Sequence, residues 1–172
     1  MKMKFLSVAI ALGAAVTSLP AAAQTMDHSA HAGHIMAQEG DAVEGMEADA
    51  KAVLVAYREA ISARDADAMT ALFTEGSSVF ENGKDEGTFA YYMEHHLGPE
   101  LDAITSFTFG DPTMAITRMG HIAYGRETYT YRIELSDGRV IEREGVATSV
   151  LHHDAEGWKI VQYHSSSRTP RG

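Results

Sequence analysis

An α+β fold is what this sequence of 172 residues predicts, and three observations carry the prediction. Apolar residues recur at helical spacing only before about position 97, four long segments of β texture follow, and short turn signals separate the last three of those segments. Short helices first and long strands afterwards predicts about three N-terminal helices packed on a mainly antiparallel sheet.

From Asp49 onward, Ala50, Val53, Leu54, Tyr57 and Ile61 keep an i, i+3, i+4, i+7 spacing, while Lys51, Arg58, Glu59 and Arg64 fall elsewhere, so the first helix is amphipathic. Asp65 is placed to cap a second, short helix carrying Met69, Leu72 and Phe73, which Glu75-Gly76 ends. A short strand over Ser78 to Glu81 stops at the turn-prone pair Asn82-Gly83. Thr88 caps a third helix over Phe89 to Leu97, with Phe89, Tyr92, Met93 and His96 on one face and Gly98-Pro99 as its terminator. Strands are expected over Thr105 to Met114, His121 to Leu135, Arg139 to His152 and Trp158 to Ser165. Ser136-Asp137-Gly138 and Asp154-Ala155-Glu156-Gly157 are hairpin-length turns between the last three.

Composition narrows the function classes. With 14 Lys and Arg against 24 Asp and Glu, the formal charge is −10, which argues against tracking nucleic-acid phosphates or an anionic membrane surface. Metal ions and small hydrophobic molecules are the partners this balance favours. There is no cysteine, so disulfides, thiolate nucleophiles and zinc-finger sites are excluded, and any soft-metal chemistry must use His and Met.

Lys2 and Lys4, an apolar run from Phe5 to Val16, and Ala21-Ala22-Ala23 before Gln24 make the three-part pattern of a secretory signal peptide cleaved after Ala23. The apolar run is short for a membrane span, so the expected location is the periplasm or outside the cell. Loss of Lys2 and Lys4 takes the charge from −10 to −12. Residues 24–47 carry no aliphatic periodicity and read as a flexible tail before a domain over 48–168, with 169–172 as a C-terminal tail. Within the first tail, Met26, His28, His31, His34 and Met36 place three imidazoles three residues apart between two thioethers, a donor set suited to copper. This block resembles the His/Met-rich runs of periplasmic copper-handling proteins. The alternative is a spacer whose histidines are incidental.

The strings Ala56-Tyr57-Arg58-Glu59-Ala60-Ile61-Ser62-Ala63-Arg64-Asp65, Ala71-Leu72-Phe73 and the closing Trp158-Lys159-Ile160-Val161-Gln162-Tyr163-His164-Ser165-Ser166 resemble the nuclear transport factor two-like superfamily. The last is similar to the Trp-x-Ile-x-x-x-His-x-Ser ending of its SnoaL-like members. The resemblance covers about Ala48 to Arg168 and implies a cone-shaped domain whose curved sheet closes around the helices and leaves an interior pocket. It also implies a homodimer paired sheet to sheet, in which Tyr124, Tyr129 and Tyr131 are either interface or ligand contacts.

The ketosteroid isomerases of this superfamily resemble the chain at Tyr57, eight residues before the helix-ending Asp65, and the same register sets Glu81 where they hold a carboxylate base. The resemblance therefore implies a cofactor-independent enzyme with Tyr57 as hydrogen-bond donor to an enolate and Glu81 as proton shuttle. Their second oxyanion donor has no counterpart here beyond Thr148, Ser149 or Val150. Alternatively, Tyr57 is core and Glu81 a solvated turn residue.

Period two along the last strand predicts that His164 points inward with Trp158 and Ile160, toward His95 and His96 of the third helix. With Glu81 or Glu94, such imidazoles suit a divalent metal or acid/base work. Arg168, beyond the last strand, is either an anion clamp at the pocket mouth or part of a frayed end. Two functions follow from these residues. One is a secreted pocket domain that binds a small ligand or metal, with copper held by the tail. The other is an isomerase, dehydratase or cyclase using Tyr57 and Glu81 on a small hydrophobic carbonyl compound. A third reading is a structural domain with a vestigial cavity.

Overall fold

The computed structural model describes the backbone of residues 29–171 and the side chains of residues 44–171. The segment read as a signal peptide, together with Met26 and His28, lies outside the described residues. His31, His34 and Met36 lie on a helix, with their side chains outside them.

Helix α1 spans Ser29–Ala63, so it begins well before the expected start near Asp49. The extra length has a local cause: Ala, Met, Gln and Glu dominate residues 30–47, and such a stretch extends an existing helix without an apolar stripe of its own. Its C-terminal half carries the stripe as expected, with Ala50, Leu54, Tyr57, Ala60 and Ile61 buried. Asp65 caps α2 (Ala66–Ala71), accepting from the Ala68 N–H at 2.9 Å. Thr88 caps α3 (Phe89–Tyr92). Among the described residues no helix is long and apolar enough to cross a membrane.

Six strands form one curved sheet in the order β2-β1-β6-β5-β4-β3: β1 (Phe73–Glu81), β2 (Lys84–Gly87), β3 (Ile104–Met119), β4 (Ile122–Leu135), β5 (Val140–Asp154) and β6 (Gly157–Arg168). Only the β1–β6 pair is parallel, so the sheet is mainly antiparallel, as expected. Strand β1 starts at Phe73, which makes Glu75-Gly76 part of the strand rather than a helix end. The unexpected strand β2 pairs with β1 across the Asn82-Gly83 turn, where both residues take positive φ. Its Lys-Asp-Glu-Gly sequence has no β propensity, and pairing alone makes it a strand.

Inward residues alternate along each strand and meet the apolar face of α1. One glycine lets that contact close, and a second makes room for a ring from the neighbouring strand. A Cβ on Gly125 would lie 2.5 Å from the Leu54 Cδ1, and one on Gly145 would lie 2.3 Å from the Tyr129 ring. Ala123, Leu151 and Ile160, paired in neighbouring strands, seal one end of the cone with Leu54 and Met69. Toward the other end, aromatic rings replace aliphatic chains: Tyr57 stands edge-on to Phe73, Phe89 and Tyr163 at 5.1, 5.9 and 5.0 Å.

Candidate functional site

At that open end the aromatic rings leave a cavity of about 140 Å³ lined by Tyr57, Tyr92, Tyr129, Tyr131 and Tyr163, by Glu81 and Glu100, and by apolar side chains such as Ile61, Phe107 and Ile133. Pockets for drug-sized ligands run from about 300 Å³ upward, so this one suits a small molecule. Each polar wall residue arrives from a different element. Tyr57 is on the buried stripe of α1, Glu81 ends β1, Tyr92 closes α3, and Tyr129 with Tyr131 and Tyr163 point inward from β4 and β6.

A wide helical turn of π geometry, Met93–Leu97, follows α3 and leads into α4 (Gly98–Ala103). The N–H of Gly98 donates to the Met93 carbonyl, and a Cβ at Gly98 would lie 2.4 Å from that oxygen. Gly98 therefore permits the turn instead of terminating the helix, and Pro99 occupies the first turn of α4, where a missing N–H costs nothing. The turn delivers His96 among carboxylates. Its Nδ1 lies 3.0 Å from the Glu86 Oε1 and 3.8 Å from the Glu81 Oε2, and its Nε2 lies 3.2 Å from the Glu100 Oε1. The Tyr92 hydroxyl donates to the Glu81 Oε2 at 2.8 Å, and the Lys84 ammonium donates to the Glu86 Oε2 at 2.8 Å.

Electrostatics at this end separate donors from acceptors. Burial pushes the Tyr57, Tyr92 and Tyr163 phenols well above the usual tyrosine range, and pushes Tyr129 up to about 12. All four therefore remain hydrogen-bond donors at neutral pH. The Lys84 hydrogen bond holds the Glu86 carboxyl below the usual range, so Glu86 is an anion despite its burial. Farther along the β4 wall, desolvation pushes the buried Glu127 carboxyl up to about 7, against the pull of Arg58. Arg58 Nη1 and Glu127 Oε2 approach to 3.1 Å without hydrogen-bond alignment, which is why the cost of burial outweighs the attraction.

The structure brings Tyr57 and Glu81 to one cavity and sets His96 at its rim. It does not bring the others there. His164 is exposed on the outer face, edge-on to Phe80 at 6.4 Å, which corrects the inward orientation expected from period two. The cause is a bulge: Val150 pairs with Gln162 and Leu151 with Ile160, so the extra residue Val161 reverses the alternation and turns Tyr163 inward. Trp158 is buried at the sealed end, 5.1 Å from His153, away from the cavity. His95 lies on the surface, stacked on Tyr91 at 3.9 Å, and Glu94 is exposed beside it. Arg168 is tied to Glu144 at 2.7 Å on the outer face and does not reach the cavity. Ser149 is buried at the sealed end and Thr148 faces out, so the second oxyanion donor sought near Thr148, Ser149 or Val150 is absent from this wall. The phenols of Tyr129 and Tyr163 stand on it instead.

A larger groove of about 470 Å³ crosses the outer face between Thr128, Val146 and Arg168. It is open to solvent, and its one ion pair, Arg168 with Glu144, is already satisfied, so it lacks the convergent polar groups of the cavity. Tyr124 is partly exposed on that outer face, while Tyr129 and Tyr131 point inward and line the cavity.

The comparisons with known proteins agree with the cone. A candidate aromatic ring hydroxylase from Novosphingobium aromaticivorans shares the fold at a TM-score of 0.67 and 20% identity, over 73% of this chain and 91% of that one. A candidate dehydratase of the nuclear transport factor two-like family from Streptomyces avermitilis gives 0.65 and 16%, over 74% and 99%. A candidate ketosteroid isomerase from Shewanella frigidimarina gives 0.60 and 24%, over 71% and 98%. At these identities the likeness shows the fold alone. No curated protein matches the chain at significance. The SnoaL-like domain family matches residues 50–170, which is most of the sequence, and the chain belongs to that family.

Proposed function

We propose that the domain is a cofactor-independent acid/base enzyme of the isomerase or dehydratase kind, acting on a small hydrophobic carbonyl compound. The observation that carries the reading is a carboxylate, Glu81, set among buried phenols in one apolar-walled cavity. In this reading the Glu81 carboxylate takes a proton from the carbon next to the carbonyl, and the electron pair moves onto the carbonyl oxygen. Tyr57, held protonated by burial, donates a hydrogen bond to that enolate, and Tyr129 or Tyr163 takes the place of the second donor. The protonated Glu81 then returns its proton to another carbon. Tyr92 orients the base through its 2.8 Å hydrogen bond. The dehydratase and ketosteroid isomerase neighbours are named for chemistry of this kind.

The test is deuterium exchange in one-ring and two-ring β,γ-unsaturated ketones, followed by NMR in deuterated buffer. Catalysed exchange that Glu81→Gln lowers at least 1000-fold and Tyr57→Phe lowers 10- to 1000-fold supports the reading. Exchange unaffected by either variant refutes it.

A second reading concerns the tail, favoured by the spacing of Met26, His28, His31, His34 and Met36. We propose that this block binds copper in a protein exported to the periplasm and cleaved after Ala23. Titration of Cu(I) and Cu(II) into wild type and into a variant with the three tail histidines changed to Ala tests it, with loss of tight binding in the variant expected.

A further inference from the structure

We infer that Glu81, Glu86 and His96 form a site for one divalent first-row transition metal ion, of the zinc or manganese class. The three residues come from β1, β2 and the π turn, and their donor atoms all lie within 4.8 Å of one another. A cluster of that size is close to what a single cation needs, because ligand atoms about 2.1 Å from a metal stand about 3 to 4 Å apart.

Two features distinguish the cluster from an ordinary acidic patch. Glu86 is only 4% exposed, yet its Oε1 has no hydrogen-bond partner among the described residues. That oxygen faces the Nδ1 of His96 at 3.0 Å, and this nitrogen is likewise buried and unpartnered because the two are not aligned for a hydrogen bond. Orphaned buried lone pairs cost free energy, and a cation placed between them would satisfy both. Moreover, each ligand has an outer partner that fixes it. Tyr92 donates to Glu81, Lys84 to Glu86, and the Nε2 of His96 faces Glu100 at 3.2 Å, the carboxylate–imidazole arrangement that commonly supports a metal-bound histidine.

Charge points the same way. Three carboxylates, Glu81, Glu86 and Glu100, face a single ammonium, Lys84, which leaves two negative charges for a divalent ion to balance. Two oxygens and one imidazole nitrogen suit Zn(II), Mn(II) or Co(II), and the lack of a thioether donor disfavours Cu(I). Three protein ligands leave coordination positions open, as in sites that exchange water or substrate. The site shares Glu81 with the acid/base reading above, so a bound ion would hold that carboxylate in place of its role as proton shuttle; metal binding is read without substrate, so either reading can fail alone.

The experiment uses the full chain with His28, His31 and His34 changed to Ala, so that the tail contributes no imidazole. Co(II) is added and its visible absorption followed, then Zn(II) is added as a competitor. A band saturating at one equivalent and erased by Zn(II) is expected. Glu86→Gln and His96→Gln should each weaken Co(II) binding at least 10-fold, Glu100→Gln 10- to 100-fold, and the exposed Glu94→Gln not at all. Circular dichroism confirms that each variant is folded, and His96→Gln, at a partly exposed position, carries the test if Glu86→Gln does not fold. Absence of the band at millimolar Co(II), or a band unchanged in folded Glu86→Gln or His96→Gln, overturns the inference.

Discussion

The sealed and open ends of the cone use the same strands and the same helix to opposite effect. At the sealed end Leu54, Met69, Ala123, Leu151 and Ile160 interdigitate with almost no exposure, and their flexible aliphatic chains fill the space between α1 and the sheet. At the open end planar rings meet edge to face, as Tyr57 does with Phe73, Phe89 and Tyr163, and rigid rings leave a cavity where aliphatic chains would have closed it. Polar atoms follow the cavity. Glu81, Tyr92, Glu86 and His96 gather where they can satisfy one another or a ligand, whereas aliphatic side chains make up most of the sealed end.

The contrast predicts unequal responses to substitution. Leu54→Ala at the sealed end should cost about 2–5 kcal/mol of unfolding free energy in a denaturant titration, with the cavity geometry retained. A loss below 1 kcal/mol would mean that the sealed end is not the packed half. The next effect is pH-dependent and sits between the ends, at Glu127. Its folded pKa, about 7, lies above the ordinary carboxyl value near 4.3, so the folded state holds the proton more tightly than the unfolded state. Stability should therefore fall as pH rises from about 4.5 to 7, by at most about 4 kcal/mol, and stay level above that. Glu127→Gln should remove that slope, and thermal melts of both proteins across this range compare them directly.

Smaller effects sharpen the boundary. Gly145→Ala brings a methyl group against the Tyr129 ring and should cost about 1–3 kcal/mol while disturbing ligand binding, because Tyr129 is a cavity wall. Tyr92→Phe removes one hydrogen bond to Glu81 and should cost only about 1 kcal/mol in urea, yet shift the pH dependence of any Glu81-dependent exchange. A melt shift as large for Tyr92→Phe as for Leu54→Ala would erase the distinction between the two ends.

How far each end was legible in the sequence follows from its physics. The stripe Ala50, Leu54, Tyr57 and Ile61 announced the buried face of α1, and Asp65 and Thr88 announced their helix starts, because caps and periodicity are local signals. The pairing of Tyr57 with Glu81 on one cavity came through family resemblance, which carries three-dimensional register that spacing alone lacks. His164 was misplaced because a single bulged residue, Val161, inverts every side chain after it, and nothing in Ile160-Val161-Gln162 marks a bulge. Gly98-Pro99 read as a stop because those residues end most helices, whereas here a π turn needed a residue without Cβ. Glu86 was invisible for a different reason. It lies in a four-residue strand of polar composition, and only its pairing across Asn82-Gly83 buries it beside His96.

If ligand chemistry belongs to the open end, the single tryptophan can report it. Trp158 marks the sealed end, Tyr57 and Tyr163 mark the cavity, and Tyr91 and Tyr124 mark the outer surface. NMR of the protein labelled in its tyrosine and tryptophan side chains, recorded while a small cyclic ketone is added, should show shifts at Tyr57 and Tyr163 with Trp158, Tyr91 and Tyr124 unmoved. Shifts at Trp158 or on the outer face, with the cavity tyrosines silent, would mean that ligands bind outside the open end.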